Sequence, residues 1–97
     1  MSDKITISTL PEFDAANYLK TPDDIKIFLQ DALEDGTSEE FIQALNTAAR
    51  AMGMAEVAHS SGLTREALYK ALRPNAKPRF DTISRICAAL GCKLVVA

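Results

Sequence analysis

The stretch GMAEVAHSSGLTREALYKAL, residues 53–72, decides the fold. It reads as two short helical segments, 54–61 and 65–72, separated by Gly62-Leu63-Thr64. Two helices crossing at about 90–120° need a small residue at the crossing and a tight turn between them. Ala58 is the small residue, and Gly62 supplies the positive φ that the turn requires. Leu63 is an apolar side chain inside the turn and points to the core. Thr64 is suited to cap the second helix. Val57, Leu68, Ala71 and Leu72 form the core contacts, leaving Arg65, Glu66, Tyr69 and Lys70 outward on the second helix. All four outward side chains are able to hydrogen-bond, as a face reading base edges in a major groove requires. The pattern is that of a helix-turn-helix. An ordinary helical hairpin with a glycine turn shares some of it, and the conjunction with the flanking sequence favours the former.

Upstream, Asp14 is placed to cap a short helical turn reaching Leu19. Thr21 is a good N-cap for a helix with Pro22 in its first turn, followed by Asp23 and Asp24 at the positive end of the dipole. Ile25, Phe28, Leu29, Ala32 and Leu33 make one apolar stripe, and Gly36 ends the helix. Ser38 is expected to cap the next helix, whose buried face is Phe41, Leu45, Ala48, Ala49 and Met52 and whose end is Gly53. Downstream, RPNAKPRF at 73–80 reads as a basic loop. Asp81 is expected to cap a last helix with Ile83, Ile86, Cys87, Ala89 and Leu90 inward, stopped by Gly91. Ile5 and Ile7 alternate weakly as a short strand, and the KLVVA tail is a second strand candidate. The expected fold is all-α, five helices in one domain over 1–97, with an N-terminal arm at 1–12 and acidic helices at 13–53. The helix-turn-helix follows at 54–72, then the basic loop, last helix and tail at 73–97.

The 97 residues are 47% hydrophobic and 25% charged, ordinary for one soluble globular domain. The net charge of −2 hides a division. Residues 1–47 hold three lysines against ten acids, a net of −7, while residues 48–97 hold eight basic residues against three acids, a net of +5. Such a split suits two surfaces for different partners, nucleic acid for the basic half and something basic for the acidic half, or else two solvated faces. No apolar run is long enough for a membrane span and the first residues lack a signal-peptide core, so a cytoplasmic location is expected.

The same residues resemble a known family. Residues 53–72 look like the helix-turn-helix of the Cro/phage-repressor type. More closely, the chain resembles the HigA-like addiction-module antidote proteins over roughly residues 13–94. The likeness is carried by FDAANYLKTPDDIKIFLQDALEDG at 13–36, ALNTAARAMGM at 44–54, GLTREALYKAL at 62–72 and FDTISRICAALGCKL at 80–94. Two departures stand out. Residues 73–78, RPNAKP, replace the family's S-x-x-G-N-P, and Met54 occupies the position where many such repressors have a phosphate-clamping Gln. The resemblance implies an antitoxin that neutralises a small basic RelE-like toxin, a ribosome-dependent mRNA-cleaving nuclease, and represses its own operon. A phage-type repressor without a toxin is the alternative.

On double-stranded operator DNA, the start of the second motif helix meets bases while the first helix crosses the backbone. Arg65 suits bidentate contact to guanine. Glu66 is suited either to accept from cytosine N4 or to orient Arg65. Lys70 reaches a base or a phosphate, and Tyr69 serves the core or the contact. Thr64, Arg73, Lys77 and Arg79 are candidate phosphate contacts that fix register. One such helix reads few base pairs, so a homodimer is expected, with the last helix and tail as its contact. His59, alone and outward, and the Cys87/Cys92 pair lack metal-site spacing, and the cysteines read as small buried hydrophobes. The acids Asp31, Glu34, Asp35, Glu39 and Glu40 read as a solvated or protein-contacting surface. No catalytic constellation, cofactor or metal is expected.

Overall fold

The computed structural model describes residues 14–92. The strand signals at 4–10 and in the 93–97 tail lie outside them. Within them the fold is all-α, with a one-turn 3-10 helix, Ala15–Tyr18, before α1 (Pro22–Asp35), α2 (Ser38–Met52), α3 (Met54–Ser61), α4 (Arg65–Ala71) and α5 (Phe80–Ala89). No helix among the described residues is long and apolar enough to cross a membrane.

Capping explains most boundaries. Asp14 accepts from the Ala16 N–H at 3.1 Å and starts the 3-10 turn. At α1 the Thr21 hydroxyl accepts from the Asp24 N–H while the Asp24 carboxylate accepts from the Thr21 N–H, a reciprocal box that satisfies two orphan donors. The cap of α2 is Thr37, one residue before the expected Ser38. Thr37 takes part in the same reciprocal arrangement with Glu40, at 3.1 and 2.9 Å, whereas a cap at Ser38 would put Phe41 in the reciprocal position. The last helix also starts earlier than expected. Its N-cap is Arg79, without a side-chain bond, and Asp81 sits in the first turn, paired with Arg85 at 3.2 Å.

α1 and the 3-10 turn pack on α2, and α3 packs against α2, α4 and α5. The core that joins them includes Leu29, Leu45, Val57, Leu68, Leu72, Ile86, Cys87 and Leu90, each essentially inaccessible. Ala48, Ala49 and Ala58 are buried with them, the small side chains that let helices approach closely. The α1 stripe holds at Ile25 and Leu29, but Leu33 is 49% exposed. On the helical wheel Leu33 lies at the edge of the stripe, beyond the strip that α2 covers.

Gly62 and Gly36 stand where a side chain is disfavoured, each for its own reason. Gly62, at φ +75°, follows α3 in the left-handed region, with the Leu63 N–H bonded to Ala58 O at 3.0 Å and the Gly62 N–H to His59 O at 3.3 Å. This paired closure satisfies two carbonyls in the last turn of α3, and Leu63 packs against the core. A Cβ at Gly62 would meet only the Arg85 guanidinium, at an ordinary 3.7 Å, so the cost of substitution is conformational. Gly62→Ala is expected to lower stability by about 1–2 kcal/mol, seen as a lower urea midpoint with an unchanged slope. An unchanged midpoint would show that the turn tolerates a side chain. Gly36 is there for a different reason: its φ is −98°, but a Cβ would stand 2.7 Å from Ala32 O.

Candidate nucleic-acid interface

α4 has two opposite faces. Leu68, Ala71 and the capping Leu72 are buried, while Arg65, Glu66, Tyr69 and Lys70 are exposed. Thr64 caps the helix, its Oγ1 accepting from the Ala67 N–H at 3.0 Å, which leaves the hydroxyl proton free to donate elsewhere. Arg65 leans along the helix toward Tyr69. Its Nη2 donates to the Tyr69 hydroxyl at 3.4 Å, and its Cζ stands 6.0 Å from the ring centroid. Tyr69 is half-exposed, so its ring serves the outer face rather than the core. Glu66 forms no ion pair with Arg65, and the described ion pairs are Asp14–Arg50 and Asp81–Arg85. The guanidinium of Arg65 therefore remains available for a planar, bidentate acceptor.

Beside α4 the loop to α5 makes an open cleft of about 520 Å³. Leu63, Ala67, Ala71, Pro74 and Pro78 form its apolar walls, and Lys70, Arg73, Lys77 and Arg79 its charged rim. No carboxylate lines it, and among the described residues none of these four cations is in an ion pair. Asn75 takes φ +65°, a left-handed turn that asparagine tolerates, and turns the loop back toward α5. The sequence-derived candidates thus lie on α4, at its cap, and on the loop that follows it. Arg65, Glu66, Tyr69 and Lys70 project from α4, Thr64 starts it, and Arg73, Lys77 and Arg79 follow it on the cleft side.

One participant was not singled out from the sequence. Asn46 of α2 donates from Nδ2 to the carbonyl of Leu72, the C-cap of α4, at 3.3 Å. Its Oδ1 accepts from Arg50 Nε at 3.4 Å, and Arg50 in turn pairs with Asp14. The result is a polar chain from the 3-10 turn to the end of α4. The Arg50 hydrogen bond, with the Ala16 N–H, holds the Asp14 carboxyl below the ordinary carboxylate range. The available signal was a mid-helix asparagine, a residue that weakens helices unless its side chain has a partner.

The other titratable residues stand apart. His59 is exposed. Cys87 and Cys92 are buried, and burial, then repulsion from the Cys92 thiol, pushes Cys87 up to about 12, so it stays a protonated, inert thiol. Both belong to the closure of α5, where the Cys92 N–H bonds Cys87 O at 2.8 Å across Gly91 at φ +83°. No group of His, Cys, Asp or Glu suited to a metal ion occurs among the described residues.

A protein of Haemophilus influenzae known only as an uncharacterized protein is 34% identical over 87 residues, covering 90% of each chain. No solved structure matches the chain. The family model of the probable addiction module antidote proteins matches residues 9–97, which takes in every helix described above, and the chain belongs to that family.

Proposed function

We propose that this protein is the DNA-binding antidote of a toxin–antidote module, which reads its own operator with α4 and neutralises a RelE-like toxin through its acidic half. Family membership supplies the antidote role and, with it, a toxin partner of some kind. The observation that carries the DNA reading is the run of cations on α4 and its following loop, Arg65, Lys70, Arg73, Lys77 and Arg79, none of them in an ion pair among the described residues. Four of them, Lys70, Arg73, Lys77 and Arg79, rim one cleft, and Arg65 begins the helix beside it, after a turn closed by a left-handed glycine. In the Cro/phage-repressor arrangement, α3 crosses the DNA backbone and the first turn of α4 enters the major groove. Arg65 then reads a guanine, Glu66 and Lys70 flank it, and Thr64, Arg73, Lys77 and Arg79 hold phosphates. A homodimer on a palindrome extends the few base pairs that one α4 reads. Repression follows from occupancy of the operator by the dimer or its toxin complex.

The deciding experiment is a growth assay. The small open reading frame adjacent to this gene is expressed alone and together with this protein. Arrest relieved by this protein, with the two copurifying, is the expected result. Arrest that it fails to relieve, with salt-dependent operator binding retained, would instead make the chain a stand-alone repressor. On the DNA side, Lys77→Ala is expected to weaken binding to all sequences alike. It also flattens the slope of log affinity against log salt by about one unit. An unchanged slope removes Lys77 from the interface.

A further inference from the structure

We infer that the outward face of α1 docks a cationic protein surface, with Ile27 as the apolar anchor inside a ring of carboxylates. This deepens the antidote reading and rests on it. α1 packs on α2 along Ile25 and Leu29, and among the described residues no other helix packs substantially on it, so its opposite side is exposed. By helical spacing Asp23, Ile27, Gln30 and Glu34 project from the middle of that side, with Asp31 next to them. All five are exposed, Ile27 by 58%. Leu33, also exposed, extends the apolar surface along one edge.

A lone exposed isoleucine is unremarkable. Its setting is what identifies an occupant. α1 carries five carboxylates and a single lysine, Lys26. Asp24 is spent on the N-terminal box, accepting from the Lys20 and Thr21 N–H groups at 2.9 and 3.2 Å. Among the described residues Asp23, Asp31 and Glu34 have no ion-pair partner. Covering Ile27 desolvates these carboxylates, which is costly unless the incoming surface brings cations. Nucleic acid and anionic lipid are repelled, and a second copy offering its own α1 would set like charges face to face. A basic protein with an apolar recess satisfies both the charge and the isoleucine, and its approach gains from electrostatic steering.

The test uses the full-length protein and the product of the adjacent small open reading frame. Affinities are measured by titration calorimetry for wild type, Ile27→Ala and the double variant Asp31→Lys/Glu34→Lys. All three positions are exposed, so thermal melts and operator binding stay at wild-type values. The expected result is a loss of at least about tenfold for Ile27→Ala and a larger loss for the charge reversal. Wild-type affinity in both variants overturns the α1 assignment while leaving the antidote reading intact. If the adjacent product binds none of the three proteins, the antidote reading fails and the α1 assignment with it. Variants that alter self-association in sedimentation but keep partner affinity would make the face a contact between copies of this chain, and would also overturn it.

Discussion

Arg65→Ala is expected to weaken operator binding by about 1–3 kcal/mol and to broaden the bases accepted at one operator position. Arg65 is the first residue of α4, is exposed and is free of carboxylate partners among the described residues. Its Nη2 contact to the Tyr69 hydroxyl limits the rotamers the guanidinium samples before binding, so less freedom is lost on contact. Arg65→Lys should recover the charge but not the discrimination, because an ammonium lacks the planar fork that fits guanine O6 and N7. Fluorescence anisotropy on a set of single-base operator variants measures both effects. Equal losses across the whole set would make Arg65 a phosphate contact.

Leu68→Ala is the substitution expected to cost the fold most at α4, about 2–5 kcal/mol. Leu68 is fully buried while its helix neighbours Tyr69 and Lys70 lie in solvent. α4 has only seven residues, too short to persist without the packing of this side. For a domain of this size the loss corresponds to a melting temperature lower by roughly 10 °C or more. Tyr69→Ala, one position away, should change stability by less than about 0.5 kcal/mol. Circular dichroism melts of the two variants distinguish them. A Leu68→Ala melt close to wild type would mean that α4 is held mainly by the Asn46–Leu72 bond and its ends.

The α3–α4 pair was legible in the sequence because each of its requirements falls on a residue type with few alternatives. Gly62 takes the left-handed φ, Ala58 a buried position, and Thr64 the cap. The ends of α2 and α5 were less legible. TSEE offers two adjacent cap candidates, and the choice falls on Thr37 because Glu40 completes the reciprocal bond. At α5, Asp81 resembles a cap but finds Arg85 four residues on, and the chain enters the helix at Phe80. The exposure of Leu33 escapes a periodicity argument, since periodicity locates a stripe but not how much of it a neighbour covers. The mid-helix place of Asn46 signalled that its side chain needs a partner, but not which one. Its partner, the Leu72 carbonyl, is 26 residues away and meets it only through the packing of α2 beside the end of α4.

α1 is carried on α2, and α4 on α3. The outward residues of both helices are exposed and stay out of the core. Substitutions at 27, 31 and 34 should therefore combine additively with those at 65, 66 and 69. A lineage is free to exchange one set while keeping the other. Under the proposed function, duplicated copies of such a gene can diverge in the DNA they answer to while still guarding against the same poison, or the reverse. One scaffold of this size can seed many mutually insulated pairs by surface change alone.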